Sequence, residues 1–294
     1  MSVPIVSVII PVYNGEKYLR ETIEAVQRQT ISNIDIWVVN DGSKDNTAAI
    51  VEEMMKLDPR IRLINKENTG VSDTRNQGIA KSTGTYVAVL DADDIWEADN
   101  LEKKLKAMEQ TGKPWAYSNL SFIDGEGQPI QKEEPIIASD FYKNLLKWEI
   151  VVPGPCSNVI ASRSLLGTDV WFDVNIPCPA DRDICIQLAR KAEPVFVNEK
   201  LWRYRIHGQS MTAVNKRVAT EMALMYQKYI NENYFPDRQT RRIALSKVYL
   251  IIAGICIRFT KERGKGIRYM AKSFWANPVI FIRTMLGKIR HRTV

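Results

Sequence analysis

Four short apolar runs, Ile5 to Val12, Ile34 to Asn40, Ile61 to Asn65 and Thr85 to Leu90, are separated by amphipathic stretches over about 17 to 29, 45 to 57 and 70 to 82. Runs this brief and this rich in Val and Ile predict strands, and the spacing of apolar residues between them predicts helices. Such alternation constrains the chain to an α/β fold with a mostly parallel central sheet flanked by helices. Open sheets of this kind take ligands in the crevice beyond the carboxyl ends of their strands. Three of the ends turn polar at once: Pro11-Val-Tyr-Asn-Gly15, Asn40-Asp-Gly-Ser43 and Leu90-Asp-Ala-Asp-Asp94.

The third end is the most acidic. In extended backbone, side chains two apart point the same way, so Asp91 and Asp93 face one point while Ala92 turns back into the fold. Carboxylates gathered there suit a hard divalent ion shared with a phosphate. A competing reading makes Asp94 the cap of a helix beginning near Glu97. A dinucleotide-binding domain would need a glycine-rich turn after the first strand, and no G-x-G-x-x-G occurs in the chain. In its place stand Tyr13, whose ring can stack on a base or pack half-buried, and Asp41. That carboxylate can accept from a ring N–H or a ribose hydroxyl, or simply form a turn.

Taken together, Val6-Ser-Val-Ile-Ile-Pro-Val-Tyr-Asn14, Val38-Val-Asn-Asp-Gly-Ser-Lys-Asp-Asn-Thr47, Asn68-Thr-Gly-Val-Ser-Asp-Thr-Arg-Asn76 and Leu90-Asp-Ala-Asp-Asp94 resemble the family 2 inverting glycosyltransferases. The resemblance covers roughly residues 5 to 215. It implies a glycosyltransferase A-type, Rossmann-like fold, a nucleotide-diphosphate sugar donor, with UDP the expected nucleotide, and Mg2+ or Mn2+ as cofactor. Carried onto matching positions, Pro11, Tyr13, Asn14 and Asp41 hold the nucleoside with Arg75 beside them, and Asp91, Ala92 and Asp93 form the D-x-D stretch that meets metal and diphosphate. Arg75 can equally be a surface ion pair on a helix.

Sugar transfer to a hydroxyl requires a separate base, because the attacking oxygen must lose a proton. The resemblance points to Asp181 in Pro179-Ala-Asp-Arg-Asp183, where related enzymes carry an acidic pair and an aromatic residue before a helix; here Ala180 and Arg182 depart from that pattern. The alternative is that Asp181 caps a helix from 182 onward and Asp183 adds acid to its first turn. Leu201 to Thr212 resembles the segment that closes the donor site, which places His207 at the diphosphate or metal with Ser210 near it. Arg203 and Arg205 alternate with Trp202, Tyr204 and Ile206, a strand with one basic face. Residues 151 to 158, rich in turn formers, read as an ordinary loop rather than as the acceptor-pocket border.

Charge separates the chain into two parts. From Arg238 to Val294 there are 14 Lys+Arg and one acid, Glu262, a net of +13, which leaves −6 for the first 237 residues against +7 overall. The expected organisation is a catalytic domain over 1–215, with a donor half to about 110 and an acceptor half from 111, then a basic, mainly helical extension over 216–294 ending in a helix from Pro278 to Arg292. Its amphipathic pattern reads as a helical hairpin before that last helix, and suits either an anionic membrane surface or packing on the catalytic domain with a solvated basic face. No recognition motif accompanies the charge, so nucleic acid is not an expected partner. Four cysteines without C-x-x-C spacing, no signal-like leader and no apolar stretch of spanning length predict a cytoplasmic protein, either soluble or peripheral on the inner face of the cell membrane. The sequence therefore predicts a metal-dependent inverting transferase acting on a saccharide or lipid-linked acceptor. A nucleotidyltransferase and a non-catalytic nucleotide-sugar-binding scaffold are the alternatives.

Overall fold

The computed structural model describes residues 3–132, 140–149, 151–169, 171–208 and 216–290. The first part of the chain is a regular alternation: β1 (Val6–Val12), α1 (Leu19–Gln27), β2 (Ile34–Asn40), α2 (Thr47–Leu57), β3 (Ile61–Asn65), α3 (Val71–Lys81) and β4 (Tyr86–Val89). β1 pairs in parallel with β2 and β4, and β2 with β3. β1 is buried at every position, as a strand covered on both faces must be.

Pro11 lies in this central strand because of where the pairing stops. Val12 O accepts from Asp41 N, so residue 12 faces β2 and Pro11 turns toward β4. The β1–β4 ladder ends at Ile9 and Val89, and the N–H that proline lacks is therefore not missed. The two strands part there and open the crevice.

The next elements are β5 (Ile95–Trp96), α4 (Asn100–Thr111), β6 (Trp115–Asp124), β7 (Pro129–Ile130), α5 (Phe141–Leu146), α6 (Pro155–Asn158), β8 (Ile160–Ser162), α7 (Arg163–Leu166), α8 (Ala180–Lys191) and β9 (Val195–Ile206). The described strands form one sheet in the order β3-β2-β1-β4-β8-β6-β9-β5, with β7 on β6. β8 is antiparallel to β4 and β6, whereas β9 is parallel to β6 and antiparallel to β5. The sheet is thus parallel on its donor side and mixed beyond it. Gly78 sets the approach of α3 to this sheet, since a Cβ there would stand 2.4 Å from Ile9 Cγ2 and 3.0 Å from Val39 Cγ2.

The chain divides into two compact units, residues 1–136 with 152–209, and residues 137–151 with 210–294. Where the sequence places one boundary at residue 215, α5 and its flanks group with the C-terminal helices. The second unit contains α9 (Lys216–Asn231), α10 (Arg238–Arg258), α11 (Arg263–Ala276) and α12 (Pro278–Arg290). Tyr226 of α9 donates to Leu146 O of α5 over 2.5 Å and lies beside Trp148, while Asp237 caps α10 by accepting from Thr240 N at 2.6 Å. Residues 291–294, the end of the last expected helix, lie outside the described part.

Asp58, the residue that ends α2, gives a direct test of the first unit. Its carboxylate accepts from Arg60 Nη2 at 2.7 Å and Gln27 Nε2 at 2.9 Å, and the Arg60 guanidinium holds its pKa down to about 2. A folded-state value below the unfolded one means stabilisation that is present above about pH 4 and is lost as the pH falls through about 2. Asp58→Asn should cost about 1 to 2 kcal/mol at pH 7 and almost nothing at pH 2, read from denaturant unfolding at both pH values.

Candidate active site

The lip of the sheet after β4 is built as a tight acidic turn in which Asp94 N donates to Asp91 O. Asp94 is only 1% exposed; it accepts from Ser157 Oγ at 2.5 Å and Arg205 N at 3.0 Å. It therefore ties the end of β4 to α6 and β9, and the expected cap role falls elsewhere, because α4 starts at Asn100 after Asp99. Burial, with Asp93 and Asp91 beside it, pushes the Asp94 carboxyl well above its usual range.

Asp91 and Asp181 meet through Arg75. This guanidinium, 2% exposed, donates from Nη2 to Asp91 Oδ1 at 2.7 Å and from Nη1 to Asp181 Oδ1 at 2.9 Å, with the Phe172 ring 5.0 Å from its carbon. Arg75 is thus no surface ion pair. Asn76 next to it exchanges two hydrogen bonds with the Phe172 backbone, at 2.8 and 3.0 Å, and locks α3 to the segment leading into α8. Crowding by protein raises the Asp91 carboxyl, against the pull of Arg75 and with help from Asp181 and Asp93.

Asp181 occupies the first turn of α8. Besides Arg75, its Oδ1 accepts from the Cys156 thiol at 2.8 Å. Burial pushes the Cys156 thiol well up, so it stays protonated and able to donate. One oxygen of Asp181 carries both contacts, and the side chain is 37% exposed. Asp183 is turned away into the core, accepting from Gln187 Nε2 at 2.8 Å. The loop expected over 151–158 contains α6, which brings Cys156 to Asp181 and Ser157 to Asp94. It is anchored by the buried Lys104, whose Nζ donates to Asn158 O at 2.6 Å. Cys156 and Ser157 escaped the sequence reading because their segment shows only turn chemistry.

His207 Nε2 lies 2.9 Å from Asp93 Oδ2, with its ring 4.9 Å from that of Tyr18. The two arginines of the expected basic face differ: Arg205 is buried, whereas the Arg203 side chain is 38% exposed. Arg205, 2% exposed, donates to Asp93 O at 2.9 Å and Glu21 Oε2 at 2.6 Å beneath Tyr18, and Arg203 pairs with Glu97 at 2.8 Å. Ser210 lies outside the described residues.

On the donor side, a cleft of about 810 Å³ is lined by Tyr13, Gly42, Lys44, Lys66 and Asn68 among others. Tyr13 is 53% exposed at its edge, free of the half-buried packing role. Asn14, at φ 51°, laces the two loops by donating its N–H to Ser43 Oγ at 2.9 Å and accepting from Lys44 N at 2.8 Å. Asp41 is buried, and its oxygens accept from Lys66 Nζ at 2.5 Å, Thr69 N at 2.9 Å and Gly70 N at 3.0 Å. Burial raises its carboxyl pKa, but these donors outweigh it and hold the value below the ordinary one. Lys66 was missed because the end of β3 carries no motif, although it is a strand end like the other three.

The acidic residues suit a divalent cation. Among the described residues no three His, Cys, Asp or Glu side chains form a closed cage, but an ion shared with a diphosphate needs only one or two protein ligands. Asp91 and Asp93 are each about a third exposed at the lip, so both keep a carboxylate open to an incoming cation. Carboxylate oxygen and imidazole nitrogen are suitable donors for Mn2+, and carboxylate for Mg2+.

The profile described as glycosyl transferase family 2 matches residues 7–166, which include the ends of β1 to β4 but neither Asp181 nor His207. The chain belongs to glycosyl transferase family 2. A putative teichuronic acid biosynthesis glycosyltransferase of Bacillus subtilis, TuaG, is 30% identical over 227 residues, covering 76% of this chain and 88% of its own length. An uncharacterized glycosyltransferase of Rickettsia bellii is 31% identical over 235 residues, 78% of this chain, and the chain spans only 33% of that relative. Among solved structures, S. aureus TarS 1–349 superposes with a TM-score of 0.69 at 18% identity, over 93% of this chain and 81% of that one. The mannosyltransferase PcManGT from Pyrobaculum calidifontis, solved with GDP-Man and Mn2+, gives 0.64 at 16% over 100% and 82%. The fold of this family 2 glycosyltransferase is the glycosyltransferase A type.

The Cys156 contact makes a specific demand. Cys156→Ala should lower kcat for sugar transfer by up to about ten-fold with donor KM unchanged, because a hydrogen bond to the Asp181 carboxylate is lost, whereas Cys156→Ser, which keeps a donor, should stay near the parent.

Proposed function

We propose that this family 2 glycosyltransferase moves a sugar from a nucleotide-diphosphate donor, a UDP-sugar, to an acceptor hydroxyl with inversion and with the help of a divalent metal. The observation that carries the reading is the Arg75 bridge, which couples the acidic donor lip at Asp91 to Asp181 within one guanidinium. Asp181 takes the proton of the acceptor hydroxyl, and the oxygen attacks the anomeric carbon from the side opposite the diphosphate. One C–O bond forms as the other breaks, and the nucleoside diphosphate departs. With Oδ1 committed to Arg75 and Cys156, Oδ2 is the atom that receives the proton.

Asp93, Asp91 and His207 are the side chains from which the one or two protein ligands to the metal would come; when bound, it supplies Lewis-acid neutralisation of the leaving group. Arg205 fixes the Asp93 backbone and so the direction of that carboxylate. Tyr13 offers a ring for the base beside Pro11, Asn14 and the Asp41 loop. A nucleotide-sugar donor is supported by the TarS complex with UDP-GlcNAc and the PcManGT complex with GDP-Man. The similarity to TuaG supports a role in cell-wall polysaccharide synthesis, on a saccharide or lipid-linked acceptor. A lipid-linked acceptor would bring the enzyme to the inner face of the cell membrane as a peripheral protein; no helix among the described residues is long and apolar enough to cross a membrane.

Asp181→Asn should lose at least about 100-fold in turnover while keeping its donor affinity. Thermal shift with UDP-, GDP- and dTDP-sugars, with and without Mn2+, measures that affinity and should show ion-dependent stabilisation by one nucleotide. Unchanged turnover in the Asn variant would remove Asp181 from the mechanism.

A further inference from the structure

The packing of α11 reverses the usual order of sizes. Its two buried residues are small: Gly266 is buried against Ile257 of α10, where an added Cβ would stand 2.5 Å from Cγ1, and Ser273 donates to Ser246 O at 2.7 Å. The large apolar residues point out. Ile267 is 63% exposed, Phe274 40% and Trp275 79%, at a spacing of i, i+7 and i+8 along one face. α12 continues the pattern with Val279, Ile282 and Leu286, 72%, 50% and 57% exposed at i, i+3 and i+7. Phe274 meets Phe281 edge-on at 5.6 Å, which joins the two helices at their shared corner. Their exposure takes these side chains out of the core, and α11 meets α10 through other residues: Gly266, Ser273 and Tyr269, whose ring lies 5.7 Å from that of Tyr249.

Charge decides what covers them. From Arg263 to Val294 the chain has eight Lys+Arg and no Asp or Glu, and Arg268 and Arg283 are exposed directly beside Ile267 and Ile282. A second copy of the same face would set like charges against like. A bilayer with anionic headgroups accepts both parts of the pattern: aliphatic and aromatic side chains enter the acyl boundary while the bases remain at the phosphates.

We infer that the outward faces of α11 and α12 form a docking surface for anionic lipid, with Trp275, Val279, Ile282 and Leu286 as the inserted residues and Arg268 and Arg283 as headgroup contacts. This deepens the peripheral-membrane reading given above and is independent of the transfer chemistry, because the binding test contains neither donor nor acceptor.

Full-length protein is sedimented with phosphatidylcholine vesicles and with vesicles in which roughly a third of the lipid is phosphatidylglycerol. Binding is expected only to the second kind, and should weaken as salt rises. Trp275→Ser with Leu286→Ser should abolish it, and Arg268→Gln with Arg283→Gln should reduce it by about an order of magnitude. Unaltered thermal unfolding of these exposed-residue variants shows that the fold is kept. Equal binding to both vesicle types, no binding to either, or replacement of vesicle binding by self-association that the Ser variants remove would each overturn the inference.

Discussion

A single buried guanidinium holds the active site together. Arg75 joins carboxylates that are 16 and 106 residues away in sequence, and each of its surroundings serves that placement. Gly78, one turn further along α3, lets the helix settle close enough to the sheet for Arg75 to reach the lip. Phe172 covers the guanidinium face, and Asn76 fixes the Phe172 backbone. Buried ion pairs add little net stability, since desolvation consumes most of the attraction. Their contribution here is positional: the spacing between Asp91 and Asp181 is set by a planar fork with fixed geometry.

The parts of this architecture that follow strong periodicity were legible in the sequence. β2 and β3 fall on the expected residues, and β1 and β4 within one residue at each end. Of the expected strand ends, those of β1 and β2 line the cleft through Tyr13 and Gly42. Illegible were the pieces whose signal is shorter than any period. β5 and β8 have two and three residues and exist through their neighbours. Cys156 and Ser157 lie in a four-residue helix inside a turn-rich segment, and only tertiary structure brings them to Asp181 and Asp94. Asp94 itself looked like a helix cap because a carboxylate before a helix usually is one; burial between Ser157 and Arg205 is a fact of the assembled sheet.

The two units differ in how they use apolar residues. In the first, large aliphatic side chains from β1, β2 and β4 fill the space between layers, and polar groups collect at one edge. In the second, α9 and α5 share an aromatic interior, while α11 approaches α10 through glycine and serine. Close packing through small residues frees large ones for another surface, and the excess of basic residues is confined to the same stretch of chain.

Asp41 has a bearing on any attempt to retune this enzyme. Its carboxylate is already saturated by Lys66 and two backbone amides, so it acts as the keystone of the loops around the cleft at Tyr13 rather than as a group free to read a ligand. A library aimed at new donors would do better to vary the rim, at Tyr13, Lys44 and Asn68, and leave that keystone in place.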